Sequence, residues 1–238
     1  MNLLITICAR GGSKGIPGKN IKRINDKPLI AYTIKSAQRF AENHNADIAL
    51  STDSIQIREV ASEYGLNTNY LRPPELATDN AGKIEAIKSL IEYKERTEKK
   101  TYDVILDMDI TSPLRSQEDL MKAYDQLMSN NEAHNIFSVN PASRNPYFNM
   151  VESEASGFFK LVKDSCGIKS RQTAPKVFDM NASFYFFRRR FFIGEYETSV
   201  TDKSLAYIMD HVCFDLDEPI DFIIMDLLMR NSILDFKF

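Results

Sequence analysis

Two hydrophobic rhythms alternate along the chain, and their order predicts a layered α/β fold. Residues 2–9 (NLLITICA) are a compact apolar run, the pattern of a strand buried on both faces. Leu29, Ile30, Ile34, Ala37 and Phe40 then recur on one face of a helix at 28–43. Residues 47–51 (DIALS) read as a second strand. Thr52-Asp53-Ser54 cap a helix carrying Ile55, Ile57, Val60, Ala61 and Tyr64, which Gly65 ends. The pattern continues with a short strand at 68–71, a helix at 83–98, a strand at 102–108, a helix at 116–129 and a strand at 135–139. From 140 to 181 it breaks: Pro141, Pro146 and Pro175 punctuate an aromatic stretch without helical period, which reads as an insertion off the main sheet. Strands at 182–188 (ASFYFFR) and 211–215 (HVCFD) and a closing helix at 220–234 follow. Such alternation predicts a parallel sheet with helices on its faces, and ligands bind beyond the carboxyl ends of its strands.

Composition narrows the class. A chain of 238 residues fits one large domain, 1–238, carrying the 140–181 insertion, and its 43% hydrophobic and 26% charged content excludes disordered and fibrous readings. A net charge of −3 argues against a general nucleic-acid or anionic-membrane binder, so any anion site must be local. Cys8, Cys166 and Cys213 are odd in number and widely spaced; they read as free thiols in a reducing, cytoplasmic setting. No run approaches the ~18 apolar residues of a membrane span, and the opening apolar run leads into Arg10-Gly11-Gly12, unlike a signal peptide.

The chemistry concentrates where strands end. From Met1 to Asn25 the chain holds Arg10, Lys14, Lys19, Lys22 and Arg23 and no acid at all. Among these residues Gly11, Gly12, Gly15 and Gly18 give backbone N–H groups room to approach phosphate oxygens. The loop matches neither common phosphate fingerprint: Ser13 stands where a Walker loop needs glycine, and Asn20 where it needs a hydroxyl. "DLDEPID" sets Asp215 and Asp217 two apart, so that in extended chain both carboxylates share a face, as a hard divalent cation requires. Asp107 and Asp109 form a second pair on an apolar strand, where acids are costly unless they meet a cation or a substrate hydroxyl. Arg72 and Arg115 are candidate anion partners, and Arg171 and Gln172 belong to the insertion. The three histidines lack metal or triad spacing.

With these residues in view, the sequence resembles the CMP-sialic acid synthetases (acylneuraminate cytidylyltransferases), in order along nearly the whole chain. "ARGGSKGIPGKNI" is similar to their nucleotide loop, "LSTDS" to their second strand end, "LRPPELATDNA" to their Arg-Pro segment, "TSPLR" to their sugar segment and "FDLDEPIDF" to their metal segment. Within the family, "LDMDITSPLR", "RNPYFNMVE" and "SRQTAPKVFDMNASFYFF" resemble the branch acting on legionaminic acid, a nine-carbon relative of sialic acid. Asp109-Ile110 stands where sialic acid enzymes usually carry Gln-Pro, and Phe148 where they carry a lysine.

The resemblance implies a GT-A-like, Rossmann-related nucleotidyltransferase fold, three layers α/β/α around a mostly parallel sheet. It implies a homodimer in which the 140–181 segment serves dimerisation and reaches the partner's site. The implied reaction joins CTP to a 2-keto sugar acid, giving the CMP-sugar and pyrophosphate, with Mg²⁺ (or Mn²⁺) held by Asp215 and Asp217. By the same resemblance Arg10, Gly11, Ser13, Lys14, Lys19, Asn20 and Arg72 hold the nucleotide, with Lys19 at the reacting phosphate. Asp109, Arg115, Arg171, Gln172 and Asn181 contact the sugar acid. Sialic, pseudaminic and Kdo acids are the alternative substrates, and a catalytically silent nucleotide-binding protein is the alternative class.

Overall fold

The computed structural model describes residues 1–12, 15–165, 167–194, 196–234 and 236. Ser13 and Lys14 of the basic loop, and Cys166, lie outside the described residues. In chain order the elements are β1 (Leu3–Cys8), β2 (Arg23–Ile24), β3 (Lys27–Pro28), α1 (Leu29–His44), β4 (Asp47–Ser51), α2 (Ile55–Glu63), α3 (Lys83–Glu98), β5 (Val104–Met108) and α4 (Gln117–Ser129). Then come β6 (Asn135–Pro141), β7 (Val151–Ser153), β8 (Phe159–Leu161), β9 (Phe178–Arg188), β10 (Ser204–Ile208) and α5 (Pro219–Arg230).

Six strands form the central sheet in the order β10-β6-β9-β5-β1-β4. β4, β1 and β5 pair in parallel, as do β6 and β10, while β9 runs antiparallel between β5 and β6. Strand periodicity sends alternate side chains to opposite faces. Ile5, Ile7, Leu106, Phe184 and Phe186 point into one core with α1, α2, α4 and α5. Leu4, Ile105, Tyr185 and Phe187 point into a second core with Ile87, Leu90 and Ile91 of α3. The result is three layers, α/β/α, around a mostly parallel sheet, as the alternation of strands and helices predicts.

Most helices start where the sequence caps them. Ser54 accepts from the Ile57 N–H at the head of α2, and Ser116 with Asp119 closes a capping box on α4. Pro219 sits in the first turn of α5, whose capping box pairs Glu218 with Asp221; the helix ends at Arg230, short of the expected 234.

Two expected strands are absent. At 68–71 the chain is irregular: the Thr68 hydroxyl donates to Leu50 O at 2.9 Å and Arg72 N to Thr52 O at 3.1 Å, and Pro73-Pro74 preclude a continuing ladder. The sixth strand is Ser204–Ile208 rather than 211–215. Residues 211–215 form irregular chain, leading to Leu216, whose N–H reaches Thr111 O at 2.9 Å. β6 runs on to Pro141 and β9 begins at Phe178, so the excursion from the sheet is 142–177, shorter at both ends than 140–181. It carries the small antiparallel pair β7–β8.

Candidate active site

A cleft of about 620 Å³ opens beyond the carboxyl ends of β1 and β5, lined among others by Arg10, Lys19, Arg72, Lys83, Asp109 and Asp217. The glycine loop leaves β1 and turns into a short 3-10 helix, Lys19–Ile21. Gly18 sits at φ 64°, in the left-handed region that a side chain would strain. At Gly15 a Cβ would lie 3.0 Å from Asp217 O, so the loop's missing side chain lets it approach the acidic segment from the far end of the chain.

Lys19 joins these two segments. Its Nζ donates to Leu216 O at 2.7 Å and to Asp217 Oδ1 at 3.2 Å. Asn20 is buried and donates to Arg10 O at 2.9 Å, holding the loop's first turn, while Gly11 N donates to Asp53 Oδ1 at 2.8 Å. Arg10 reaches across the cleft to Thr78 O at 3.0 Å and Asp79 Oδ1 at 2.9 Å. Arg72 is buried, with Nε on Ser51 Oγ at 2.9 Å and Nη2 on Ser51 O at 3.0 Å, so it braces the end of β4 at the cleft wall.

Besides Asp79, which holds Arg10, two pairs of acids stand at or beside the cleft, and of these four Asp109 and Asp217 line it while Asp107 and Asp215 do not. Asp217 is open to solvent, with 71% of its side chain exposed, and its N–H donates to Asp221 Oδ2 at 2.9 Å. Burial raises the Asp215 carboxyl, Asp109 and Asp217 raise it further, and the Thr111 hydroxyl and Lys19 ammonium oppose them. Crowded carboxylates of this kind favour a cation, and an all-oxygen donor pair suits a hard one. Among the described residues there is no group of three or more His, Cys, Asp or Glu that could hold a metal.

Asp107 and Asp109 meet a cation that sequence reading missed. Lys83 Nζ lies 3.0 Å from Asp107 Oδ2 and 2.9 Å from Asp109 Oδ2, and sits 4.3 Å from the centroid of the Tyr185 ring. Strand alternation turns Asp107 toward α3, whose first residue is Lys83. Burial would lower the Lys83 ammonium, but Asp107 and Asp109 hold it well above its usual range. Burial pushes the Asp109 carboxyl up, and Lys83 with the N–H and hydroxyl of Thr111 more than reverse this, to about 2. No local sequence signal marks it: a lysine in the first turn of a helix opposes the dipole, but Glu85 in the same turn already offers an acid nearby. Cys8 also lines the cleft; burial, then Asp107, push its thiol up to about 12, which disfavours the thiolate.

The residues expected at the sugar are not together in one chain. Arg115 is 1% exposed; its Nε donates to Ser183 Oγ at 3.0 Å and its Nη2 to Ser112 O at 2.7 Å and to Asp109 O. Burial lowers its guanidinium to about 10. The fork therefore clamps the backbone that presents Asp109. Asn181 is buried, accepting from the Ser138 hydroxyl at 2.6 Å and donating to Asn140 Oδ1 at 2.7 Å. Arg171 and Gln172 line a separate depression of about 730 Å³ with Asn145, Phe178 and Ile208, which shares no lining residue with the main cleft.

The family model described as "Cytidylyltransferase" matches residues 4–224, nearly the whole chain. The chain belongs to the cytidylyltransferase family. It is an enzyme of the nucleotidyltransferase class, and the cleft is where such chemistry would be housed. The chain is 39% identical over 241 residues to post-translational flagellin modification protein B of Campylobacter coli, covering 99% of this chain and 98% of that one. It is 38% identical over 228 residues to the CMP-N,N'-diacetyllegionaminic acid synthase of Campylobacter jejuni subsp. jejuni serotype O:2, covering 95% and 94%. In structure it is similar to a CMP:2-keto-3-deoxy-manno-octonic acid synthetase complexed with CTP, at TM-score 0.69 and 14% identity over 98% of this chain and 100% of that one. At that identity the likeness speaks for the fold alone. No helix among the described residues is long and apolar enough to cross a membrane.

Proposed function

We propose that this cytidylyltransferase activates a nine-carbon 2-keto sugar acid of the legionaminic type with CTP, giving the CMP-sugar and pyrophosphate. The observation that carries the reading is the convergence of the basic glycine loop, the Lys19–Asp217 contact and the Lys83-bound Asp109 on one cleft. The legionaminic assignment rests on the 38%-identical synthase that covers 95% of the chain.

In this reading the loop N–H groups, Arg10 and Lys19 bind the triphosphate, and Asn20 and Arg72 keep the loop and cleft wall in place. Ser13 and Lys14 belong to the same loop. The anomeric 2-hydroxyl of the sugar acid attacks the α-phosphorus in line: a C–O–P bond forms, the bond to pyrophosphate breaks and the hydroxyl proton passes to solvent water. Lys19 neutralises charge growing on the phosphates, and Asp109, held rigid by Lys83, Thr111 and the Arg115 clamp, accepts from the sugar's hydroxyl or amide hydrogens. Asp215 and Asp217 would hold Mg²⁺, which supplies Lewis-acid charge neutralisation at the phosphates. Arg171 and Gln172, remote from the cleft of their own chain, serve the site of a second copy in a homodimer. Asn181 supports the sugar site from the interior. A cytoplasmic setting suits the unpaired thiols Cys8 and Cys213.

The test is pyrophosphate release with CTP, Mg²⁺ and a panel of legionaminic, pseudaminic, sialic and Kdo acids. Legionaminic acid should give the highest kcat/KM. CTP binding without turnover on any acid would overturn the reading in favour of a silent nucleotide-binding protein.

A further inference from the structure

Lys83 sits where stability alone would not put it. It begins α3, which Gly82 caps without a side chain, and a cation at that end opposes the helix dipole. A cluster of buried charges is seldom more stable than apolar side chains of the same volume. Of its two carboxyl partners, Asp107 is 1% exposed and closed on both oxygens, by the Thr6 hydroxyl at 2.8 Å and by Lys83 Nζ at 3.0 Å. Asp109 is not closed: it lines the cleft beside Lys83 and Thr111, and 24% of its side chain is exposed.

The acceptor sites left on Asp109 can be counted. Its carboxyl is held at about 2, so it is ionised at neutral pH, and an ionised carboxylate only accepts. Oδ1 accepts from the Thr111 N–H at 3.1 Å and from the Thr111 hydroxyl at 2.9 Å, and Oδ2 accepts from Lys83 Nζ at 2.9 Å. Of about four lone-pair sites, three are filled and about one stays open, on Oδ2. The ammonium itself lies between two carboxyls and 4.3 Å from the centroid of the Tyr185 ring, so its charge is taken up within the cluster rather than offered to a ligand anion.

We propose that Lys83 determines the substrate specificity of this cleft: it aims the open oxygen of Asp109 so that a substrate must present one N–H or O–H donor there. The proposal deepens the sugar-acid reading and rests on it. Lys83 acts through Asp109 and is a positioning residue. A group that brings only lone pairs or negative charge meets the lone pairs of Oδ2 and leaves a half-buried charge without its partner, so it is rejected. A side-chain amide or hydroxyl in the place of Asp109 would turn to suit either kind of group. Without Lys83 the carboxyl keeps only Thr111, on Oδ1, and the two carboxyls lose the ammonium that holds them side by side. Oδ2 is then no longer aimed.

The experiment removes the donors of legionaminic acid one at a time, each hydroxyl but the attacking one to fluorine and each acylamino N–H to ester oxygen. It measures kcat/KM for pyrophosphate release with CTP and Mg²⁺, and the ratio of parent to analogue is the donor penalty. In the wild type one analogue should show a penalty of about tenfold or more, the loss of a hydrogen bond to a charged group. In Lys83→Met that penalty should fall to about threefold, the size for a neutral hydrogen bond, while the penalties of the other analogues stay as they were. A lysine with a structural role alone would lower parent and analogue alike and leave the ratio unmoved. Adding Lys83→Met to Asp109→Asn should leave the ratio where Asp109→Asn sets it. A further change in that double variant would mean that Lys83 meets the sugar itself, and would overturn the positioning role.

Turnover with no analogue penalised tenfold would overturn the subsite, and a penalty that persists in folded Lys83→Met would overturn the role of Lys83. Both outcomes leave the cytidylyltransferase reading intact, whereas silence of the wild type with every sugar acid would overturn that reading itself. If Lys83→Met fails to fold, Lys83→Gln replaces it in the same comparison: it keeps a donor for one carboxyl but not the charge that binds two, so the penalty should fall by less, and no fall at all would overturn the proposal.

Discussion

Replacing Lys83 with Met isolates the cluster that sequence reading left without a cation. Met has nearly the helix propensity and length of Lys, so the change removes the charge and little else. In the wild type the ammonium lies within 3.0 Å of two carboxylates whose side chains are 1% and 24% exposed. The Asp109 carboxyl is held at about 2 against an ordinary 3.8, a difference of about 2.5 kcal/mol in favour of the folded state at neutral pH. Removing one partner of a buried ion pair costs about 3–5 kcal/mol. Lys83 keeps a third of its side chain in water, which brings the expected loss to about 2–4 kcal/mol at pH 7. The pH dependence has a definite sign. Asp109 contributes its stability above the unfolded value of 3.8 and loses it as pH falls through 3.8 toward 2. In the variant burial is unopposed by Lys83, so the carboxyl rises and the protein is penalised at neutral pH, less so as Asp109 takes up a proton. Urea melts at pH 8, 7, 5.5 and 4.5 should show a stability gap that is widest at the top of this range and narrows toward the bottom. A gap below about 1 kcal/mol, the value of an exposed pair, or one that does not change with pH, would refute the reasoning.

Asp217→Asn should lower turnover by about a hundredfold or more while moving the urea midpoint little, because an exposed side chain contributes within about 0.5 kcal/mol to stability. Near-normal activity at limiting Mg²⁺ would remove its metal role, and EDTA should stop pyrophosphate release until Mg²⁺ or Mn²⁺ is added back. Arg115→Lys keeps the charge but not the fork that spans Ser183, Ser112 and Asp109; KM for the sugar acid should rise severalfold with KM for CTP unchanged, and equal effects on both would contradict a role confined to the Asp109 turn. Gly18→Ala places a side chain at φ 64° and should cost about 1 kcal/mol in a denaturant melt, with weaker CTP binding by calorimetry.

The parts of this fold that were legible in the sequence are those whose environment repeats. α1 has one buried face, β1 is buried from Leu3 through Ile7, and α2 and α4 carry their own caps, so pattern and structure agree within a residue or two. β10 was missed because it is an edge strand: Ser204, Leu205 and Tyr207 are only half-buried, and Ala206 and Ile208 are exposed, which weakens the apolar signal. Residues 211–215 misled for the opposite reason. Val212-Cys213-Phe214 is a real apolar run in the sequence, but Val212 is 45% exposed and the segment pairs with no strand of the sheet.

The site divides along a related line. The basic loop and the Asp215–Asp217 pair could be read because each is contiguous, and local density of charge is visible in any window. The Lys83 cluster could not, because its members are brought together by two registers: Thr6 pairs with Asp107 across β1 and β5, and Asp107 with Tyr185 across β5 and β9. Thr6 then donates to Asp107 Oδ1 at 2.8 Å, while Lys83 takes the other oxygen and the Tyr185 face. One antiparallel strand inserted into a parallel sheet thus sets the aromatic wall of the cation site, and a sequence pattern carries no mark of which strands become neighbours. The same reasoning separates Arg115 from Arg171. The first is tied to Asp109 by a turn six residues long and acts inside its own chain, whereas the second leaves the sheet with the 142–177 excursion and lines a depression that shares no residue with the cleft.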